Sequence, residues 1–245
     1  MAVLVTRPQP DDETTAAKLR ARGLVALRAP MLRFEAVAFH DDEDACYGAV
    51  VATSANALRG LEPDLAASRL LALPLFAVGE HTAAAARSKG FARVISADGD
   101  AAALREQVQS AVKANELNPE RPLLYLAGAD LARDLAGELG ERGFSVVTQT
   151  TYRMNPVSSL PREVCEAFAA SAVEAVLHYS RRSARAFLNA ARAEGVEISA
   201  LAIPQCCLSE AVAAIVREAG APQVTVPAAP HEKALFEVLD RALGR

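Results

Sequence analysis

Phe144 to Val157 reads FSVVTQTTYRMNPV, and Gly23 to Val37 reads GLVALRAPMLRFEAV. Each run follows a short apolar strand and a helix that closes on a glycine, and each outlasts an ordinary strand of about five or six residues. Both are therefore expected to cross between two lobes. Tyr152, on the second run, is expected to hang over the cleft between them.

Working outward from these runs, the chain repeats itself in order. VLVTRP from Val3 matches LLYLAG from Leu123, AVVATSANALRGL from Ala49 matches AVLHYSRRSARAFL from Ala175, and PLFAVGEH from Pro74 matches PQCCLSEA from Pro204. The displacements are 120, 126 and 130 residues, so one duplicated unit has acquired small loop insertions. Each unit reads β-α-β-β-α-β-α-β-α, which predicts a parallel sheet with both faces covered. The expected fold is α/β: two doubly wound, flavodoxin-like lobes joined by a two-stranded β-ladder hinge, with strands near 30–38 and 148–157. Two cuts are open, tandem units divided near Glu120 or lobes that exchange their first two strands. Paired crossovers favour the exchange, with 1–35 and 156–245 forming one lobe and 36–155 the other.

Between these landmarks, acids open the first helix at Asp11 and basic residues close it, as the helix dipole prefers. An acidic turn is expected from His40 to Asp44, a polar loop from Asn115 to Pro122, and a helix from Asp130 to Glu141.

With 245 residues and 51% hydrophobic content, the chain can fill two cores. No export signal or membrane span is legible, so a cytoplasmic protein without membrane contact is expected. Cys46, Cys165, Cys206 and Cys207 form no CxxC pair and no spacing with histidine that suits zinc, which points to reduced thiols. A net charge of −4 argues against nucleic acid as a partner. Walker A, GxGxxG and GxSxG patterns are missing, which removes support for an NTPase, a dinucleotide enzyme and a serine hydrolase.

In such sheets ligands sit beyond the carboxyl ends of the strands, where helix N-termini offer free N–H groups to anions. Most of these helices carry their own acid, among them Glu80, Asp130, Glu210 and Glu232. Two lack one: Thr53-Ser54-Ala55-Asn56 and Ser180-Arg181-Arg182-Ser183, at equivalent places in the repeats. Arg181 and Arg182 set two cations against a positive helix end, which favours a bound anion unless both side chains extend into solvent. Thr82 and Ser209 add hydroxyls to the same rim, although Ser54 and Ser209 are also natural N-caps. Tyr152 shares a strand face with Thr148, Thr150 and Met154 by simple alternation; it is either a half-buried strand residue or a proton donor.

VLVTRP, VVATSANAL, AVGEHTAAAA, RVISADGDAAAL, TTYRMNPV, VLHYSRRSARAFL and CCLSEAVAAI, in that order, resemble the uroporphyrinogen-III synthase family over essentially the whole chain. The resemblance implies a cofactor-free, monomeric enzyme that closes hydroxymethylbilane to uroporphyrinogen III with loss of water and inversion of the last ring. It also leaves room for a transient contact with hydroxymethylbilane synthase. Tyr152 falls on the family tyrosine that assists departure of water. Thr53, Ser54, Thr82 and Ser180 fall on the family's substrate-binding positions, and Arg7, Ala55, Asn56, Arg181, Arg182 and Ser209 are expected to bind the substrate beside them. One departure stands out: Ser209-Glu210-Ala211-Val212 replaces the Gly-x-Thr-Thr of many members. Rival readings are a two-lobed binding protein for an anionic small molecule and a module without a ligand.

Overall fold

The computed structural model describes residues 1–39, 45–61, 69–131 and 133–245; the expected acidic turn at 40–44 lies outside the described residues. In chain order the elements are β1 (Ala2–Val5), α1 (Asp11–Ala21), β2 (Val25–Arg28), β3 (Leu32–Ala36), β4 (Ala49–Ala52), α2 (Ala55–Arg59), β5 (Pro74–Ala77), α3 (Glu80–Ser88), β6 (Arg93–Ser96) and α4 (Ala101–Lys113). They continue as β7 (Leu123–Gly128), α5 (Leu135–Gly140), β8 (Val146–Pro156), α6 (Arg162–Ala169), β9 (Val173–His178), α7 (Arg181–Ala193), α8 (Glu197–Ala202), β10 (Gln205–Cys207), α9 (Glu210–Glu218), β11 (Val224–Thr225) and α10 (Glu232–Ala242). The chain forms two compact units, Met1–Phe34 with Asn155–Arg245, and Glu35–Met154.

In the first unit the sheet order is β11-β10-β9-β1-β2, with every neighbour parallel. All four residues of β1 are buried, because helices cover both faces. Val3, Val5 and Leu177 pack on Leu19, Leu235 and Phe236. On the other face Leu4 and Val176 meet Val164, Phe168, Phe187 and Val212.

The second unit's sheet runs β3-β8-β7-β4-β5-β6 and is parallel from β8 to β6. Val50, Ala52, Leu124 and Leu126 face α2 and α3 through Ala57, Leu58 and Ala83. Val51, Leu123 and Tyr125 face α4 and α5 through Leu104, Val108, Leu135 and Leu139. Read from β2, the first sheet runs β2-β1-β9-β10-β11; read from β8, the second runs β8-β7-β4-β5-β6. Among the described residues no helix is long and apolar enough to cross a membrane.

The run from Leu24 to Val37 is not one strand. β2 belongs to the first sheet and β3 to the second, with Ala29-Pro30-Met31 between them. Pro30 has no N–H to give a ladder, while Ala29 N and Met31 N still donate to Val5 O and Thr6 O. The chain passes between units inside β3 and inside β8. Val37 N donates to Thr151 O at 2.9 Å and Val157 N to Met31 O at 3.0 Å; one partner number falls as the other rises, so the two strands are antiparallel. The helix expected from Asp130 begins only at Leu135, because Asp134 accepts from Gly137 N and caps it.

Candidate active site

In the second unit, β4 delivers Thr53 and Ser54 to its carboxyl end. Ser54 has extended backbone and its hydroxyl accepts from Asn56 N at 3.2 Å, so it caps α2, whose first turn holds no acid. Ala55 opens that helix, and the Asn56 amide donates to Met154 Sδ at 3.9 Å, tying the rim to β8. The Thr53 hydroxyl lies 3.1 Å from that of Tyr125, a side chain only 3% exposed. Burial pushes the Tyr125 phenol above its usual pKa; the Thr53 hydrogen bond opposes this and Tyr152 adds to it. Thr82, in the first turn of α3, is 4% exposed, so it stands inside the rim rather than on it.

Tyr152 does not share a face with Thr148 and Thr150. Parallel pairing of β7 with β8 runs in step to Ala127↔Thr150 and then slips to Gly128↔Tyr152, leaving Thr151 as an extra residue. One extra residue reverses the alternation, and Tyr152 packs with Val147, Ala57 and Leu58 on the α2 side of the sheet. Thr151 fixes this bulge: buried completely, its hydroxyl donates to Ala57 O at 2.8 Å, and its carbonyl presses so closely on Gly60 that a Cβ there would stand 2.1 Å away. Tyr152 O accepts from Ala129 N at 2.9 Å.

In the first unit, β9 and β10 pair through His178↔Cys207, and the residues two further along are Ser180 and Ser209. Ser180 caps α7, accepting from Ser183 N at 3.1 Å, with the two serine hydroxyls 2.7 Å apart. Arg181 is exposed and Arg182 half-buried, and no acid stands in that first turn. An exposed cation such as Arg181 at a positive helix end costs about 0.3–1 kcal/mol. Ser209 holds the N-cap position of α9 but makes no cap hydrogen bond, contrary to the capping role its place suggests. Glu210 beside it pairs with Arg217, so this helix end is neutralised from within.

Arg7 is placed differently from the other candidates. Its guanidinium bonds Asp11 at 2.7 Å, Glu232 at 3.1 Å and Thr15 at 3.2 Å, and lies 4.5 Å over the Tyr179 ring. Tyr179 donates to Glu232 at 3.0 Å, and burial pushes its phenol upward. Burial alone would raise the Glu232 carboxyl, but bonds from Lys18, Thr15 and Tyr179 outweigh it and hold the group below its ordinary value. The structure thus draws Thr53 to Asn56 together with Tyr152, and Ser180 to Arg182 with Ser209, while Arg7 closes a network between α1 and α10. No cluster of His, Cys, Asp and Glu placed to hold a metal occurs among the described residues.

The sequence profile of the family described as uroporphyrinogen-III synthase HemD matches residues 13–237. The chain belongs to the uroporphyrinogen-III synthase family. It is a hydro-lyase of heme biosynthesis, the cyclase that forms uroporphyrinogen III, as the ordered motifs implied. Among solved structures, the uroporphyrinogen-III synthetase of Helicobacter pylori is 17% identical with a TM-score of 0.64, covering 97% of each chain. A mutant uroporphyrinogen III synthase from the extremely thermophilic bacterium Thermus thermophilus is 18% identical with a TM-score of 0.56, covering 100% of this chain and 99% of that one. At such identities the likeness carries the fold alone. No curated protein matches the sequence.

Tyr125, Gly128 and Thr151 escape a reading of the sequence for site residues. Tyr125 sits inside an apolar strand and Thr151 inside an extended run, and neither pattern distinguishes them. The signal available was Gly128 at the end of β7, which marks a close approach as well as a turn.

Proposed function

We propose that Tyr152 is the general acid of this cyclase and that the two rims hold the carboxylates of hydroxymethylbilane. The observation that carries the reading is the bulge at Thr151, which turns Tyr152 toward the acid-free start of α2. The phenol donates to the hydroxyl on the carbon beside ring A, which leaves as water and generates an azafulvene. Ring D attacks it at its substituted carbon, and the spiro intermediate fragments and recloses inverted. The last closure releases a proton from the ring D carbon, which restores the phenol, so the sum is loss of one water. A phenolic O–H suits this task, since it is a hydrogen-bond donor that needs no charged partner.

Thr53, Ser54, Ala55 and Asn56 supply hydroxyl, amide and backbone N–H donors on one rim; Ser180, Arg181, Arg182 and Ser209 supply theirs on the other. Ser209, with no cap to make, substitutes for the threonines of the family pattern. Thr82 contributes through the little of its surface that is exposed, and Arg7 is the weakest of the substrate-binding candidates because two carboxylates already neutralise it. Because the linear substrate also closes unaided to isomer I, the enzyme's task is chiefly to fold the chain so that the inverted closure wins.

The reading extends to a cytoplasmic monomer of two duplicated flavodoxin-like lobes, with β3 and β8 as the hinge and boundaries near residues 35 and 155. The common strand order, the sequence repeat and the pairing of β3 with β8 support the duplicated lobes and the hinge. A transient contact with hydroxymethylbilane synthase would shorten the time in which free substrate closes spontaneously. The test is Tyr152→Phe with freshly made hydroxymethylbilane, followed by oxidation and separation of the porphyrin isomers. Turnover to isomer III should fall about tenfold or more without vanishing. Unchanged turnover would refute the assignment of Tyr152.

A further inference from the structure

The Tyr152 ring crosses the end of β7 in space that exists only because residue 128 has no side chain. A Cβ at Gly128 would lie 2.6 Å from Tyr152 Cζ, 2.8 Å from its hydroxyl oxygen and 3.0 Å from Cε1. Gly128 is not among the glycines with left-handed backbone, so conformational freedom does not explain the residue. What explains it is the close approach of the ring.

Three features converge on that approach. The pairing slip brings Tyr152, rather than Thr151, beside Gly128. Thr151 locks the slip through Ala57 O and the backbone at Gly60. Ala129 N, just past the glycine, holds the Tyr152 carbonyl at 2.9 Å, so the backbone cannot back away from the ring without giving up that bond. Any side chain at 128 must therefore push the outer half of the ring, the hydroxyl included.

We infer that Gly128 is a positioning residue for the reaction, setting where the Tyr152 hydroxyl stands through the absence of its own side chain. The inference rests on the reading of Tyr152 as the acid, and a double-mutant cycle separates the two. Gly128→Ala, Tyr152→Phe and the double variant are assayed with hydroxymethylbilane for kcat, KM and the ratio of isomer III to isomer I. Displacing a donor by about an ångström costs up to about a hundredfold, so Gly128→Ala should lower kcat about tenfold or more. KM should stay within about twofold, because a lost transition-state contact lowers kcat and kcat/KM together. The double variant should be no slower than Tyr152→Phe alone, since the hydroxyl that alanine displaces is already gone.

If Tyr152→Phe turns over normally, the acid assignment fails and the inference falls with it. If Tyr152→Phe is slow but Gly128→Ala is not, or if the two losses multiply, only the positioning role fails. Should Gly128→Ala not fold, the same substitution in a Tyr152→Ala background decides: with the ring removed the three atoms nearest the added methyl are gone, and folding should return. A double variant that still fails to fold would overturn the claim that the ring is what the glycine accommodates.

Discussion

Acidification should weaken the first unit through one residue, His178. The imidazole is completely buried at the end of β9, edge-on to Phe187 with 5.4 Å between ring centres. Its tautomer follows from its neighbour. Gln205 Nε2 donates to Ala200 O at 2.7 Å and to Ile203 O at 2.9 Å, so Gln205 Oε1 must face His178 Nε2 at 2.9 Å, and that nitrogen carries the hydrogen. Nδ1 is left with its lone pair and no protein partner among the described residues. A proton there would create a buried cation, and burial accordingly pulls the pKa from 6.5 to about 4, with the Gln205 hydrogen bond only partly opposing it.

In the unfolded chain the same imidazole takes its proton near pH 6.5, so between there and about pH 4 the unfolded state binds more protons and is favoured. The contribution is fully present above pH 6.5, is lost as pH falls, and is constant again below about 4. At about 1.36 kcal/mol per pH unit, the loss attributable to this residue across that interval is about 3 kcal/mol. The assay is urea unfolding at several pH values between 7 and 4, read by hydrogen-exchange mass spectrometry so that peptides of β9 and β10 report separately from the second unit. Wild type and His178→Gln should converge in stability as pH falls, the variant showing the flatter profile. Parallel profiles, or a gap that widens toward low pH in favour of wild type, would refute the argument.

Two further substitutions test the rims. Tyr125→Phe removes one buried hydroxyl and releases Thr53; with a hydrogen bond worth about 1 kcal/mol, KM should rise about fivefold at constant kcat, and a fall in stability with KM unchanged would make Tyr125 a purely structural residue. Arg7→Gln leaves Glu232, whose side chain is 17% exposed, with Lys18 as its remaining cation and removes the Arg7–Asp11 pair; the first unit should lose about 2 kcal/mol while KM of the folded enzyme holds, and the opposite result would return Arg7 to substrate binding.

The strands were legible because parallel strands covered on both faces are written as unbroken apolar runs such as VLVT and LLYL, and no loop imitates them. Tyr152 was legible as a candidate, but not its direction. A strand's alternation can be counted only if nothing is inserted, and the insertion at Thr151 is stabilised by Ala57 O and Gly60, about 90 residues away in the chain. A longer separation, 225 residues, hid the fate of Arg7, which looks like a free rim cation until Glu232 arrives from α10. Pro30 is the sequence signal that divides the run from Leu24 to Val37 into two strands. The helix Arg162–Ala169 was missed although Val164 and Phe168 repeat at helical spacing just after Pro161.

The placement of β1 between β2 and β9 sets the order in which the protein can assemble during its own synthesis. Ala2 waits for Val173, 171 residues later, before its second edge is covered. At ribosomal rates that is roughly ten to thirty seconds. The second unit, contiguous from Glu35 to Met154, needs nothing made after it, so it closes first, while β1, α1 and β2 remain an incomplete layer with one side of an entirely apolar strand open. Nascent chains halted once residue 155 has cleared the ribosome should therefore carry a protease-resistant second unit and an N-terminal segment that recruits chaperones, and those halted once β9 has cleared it should not.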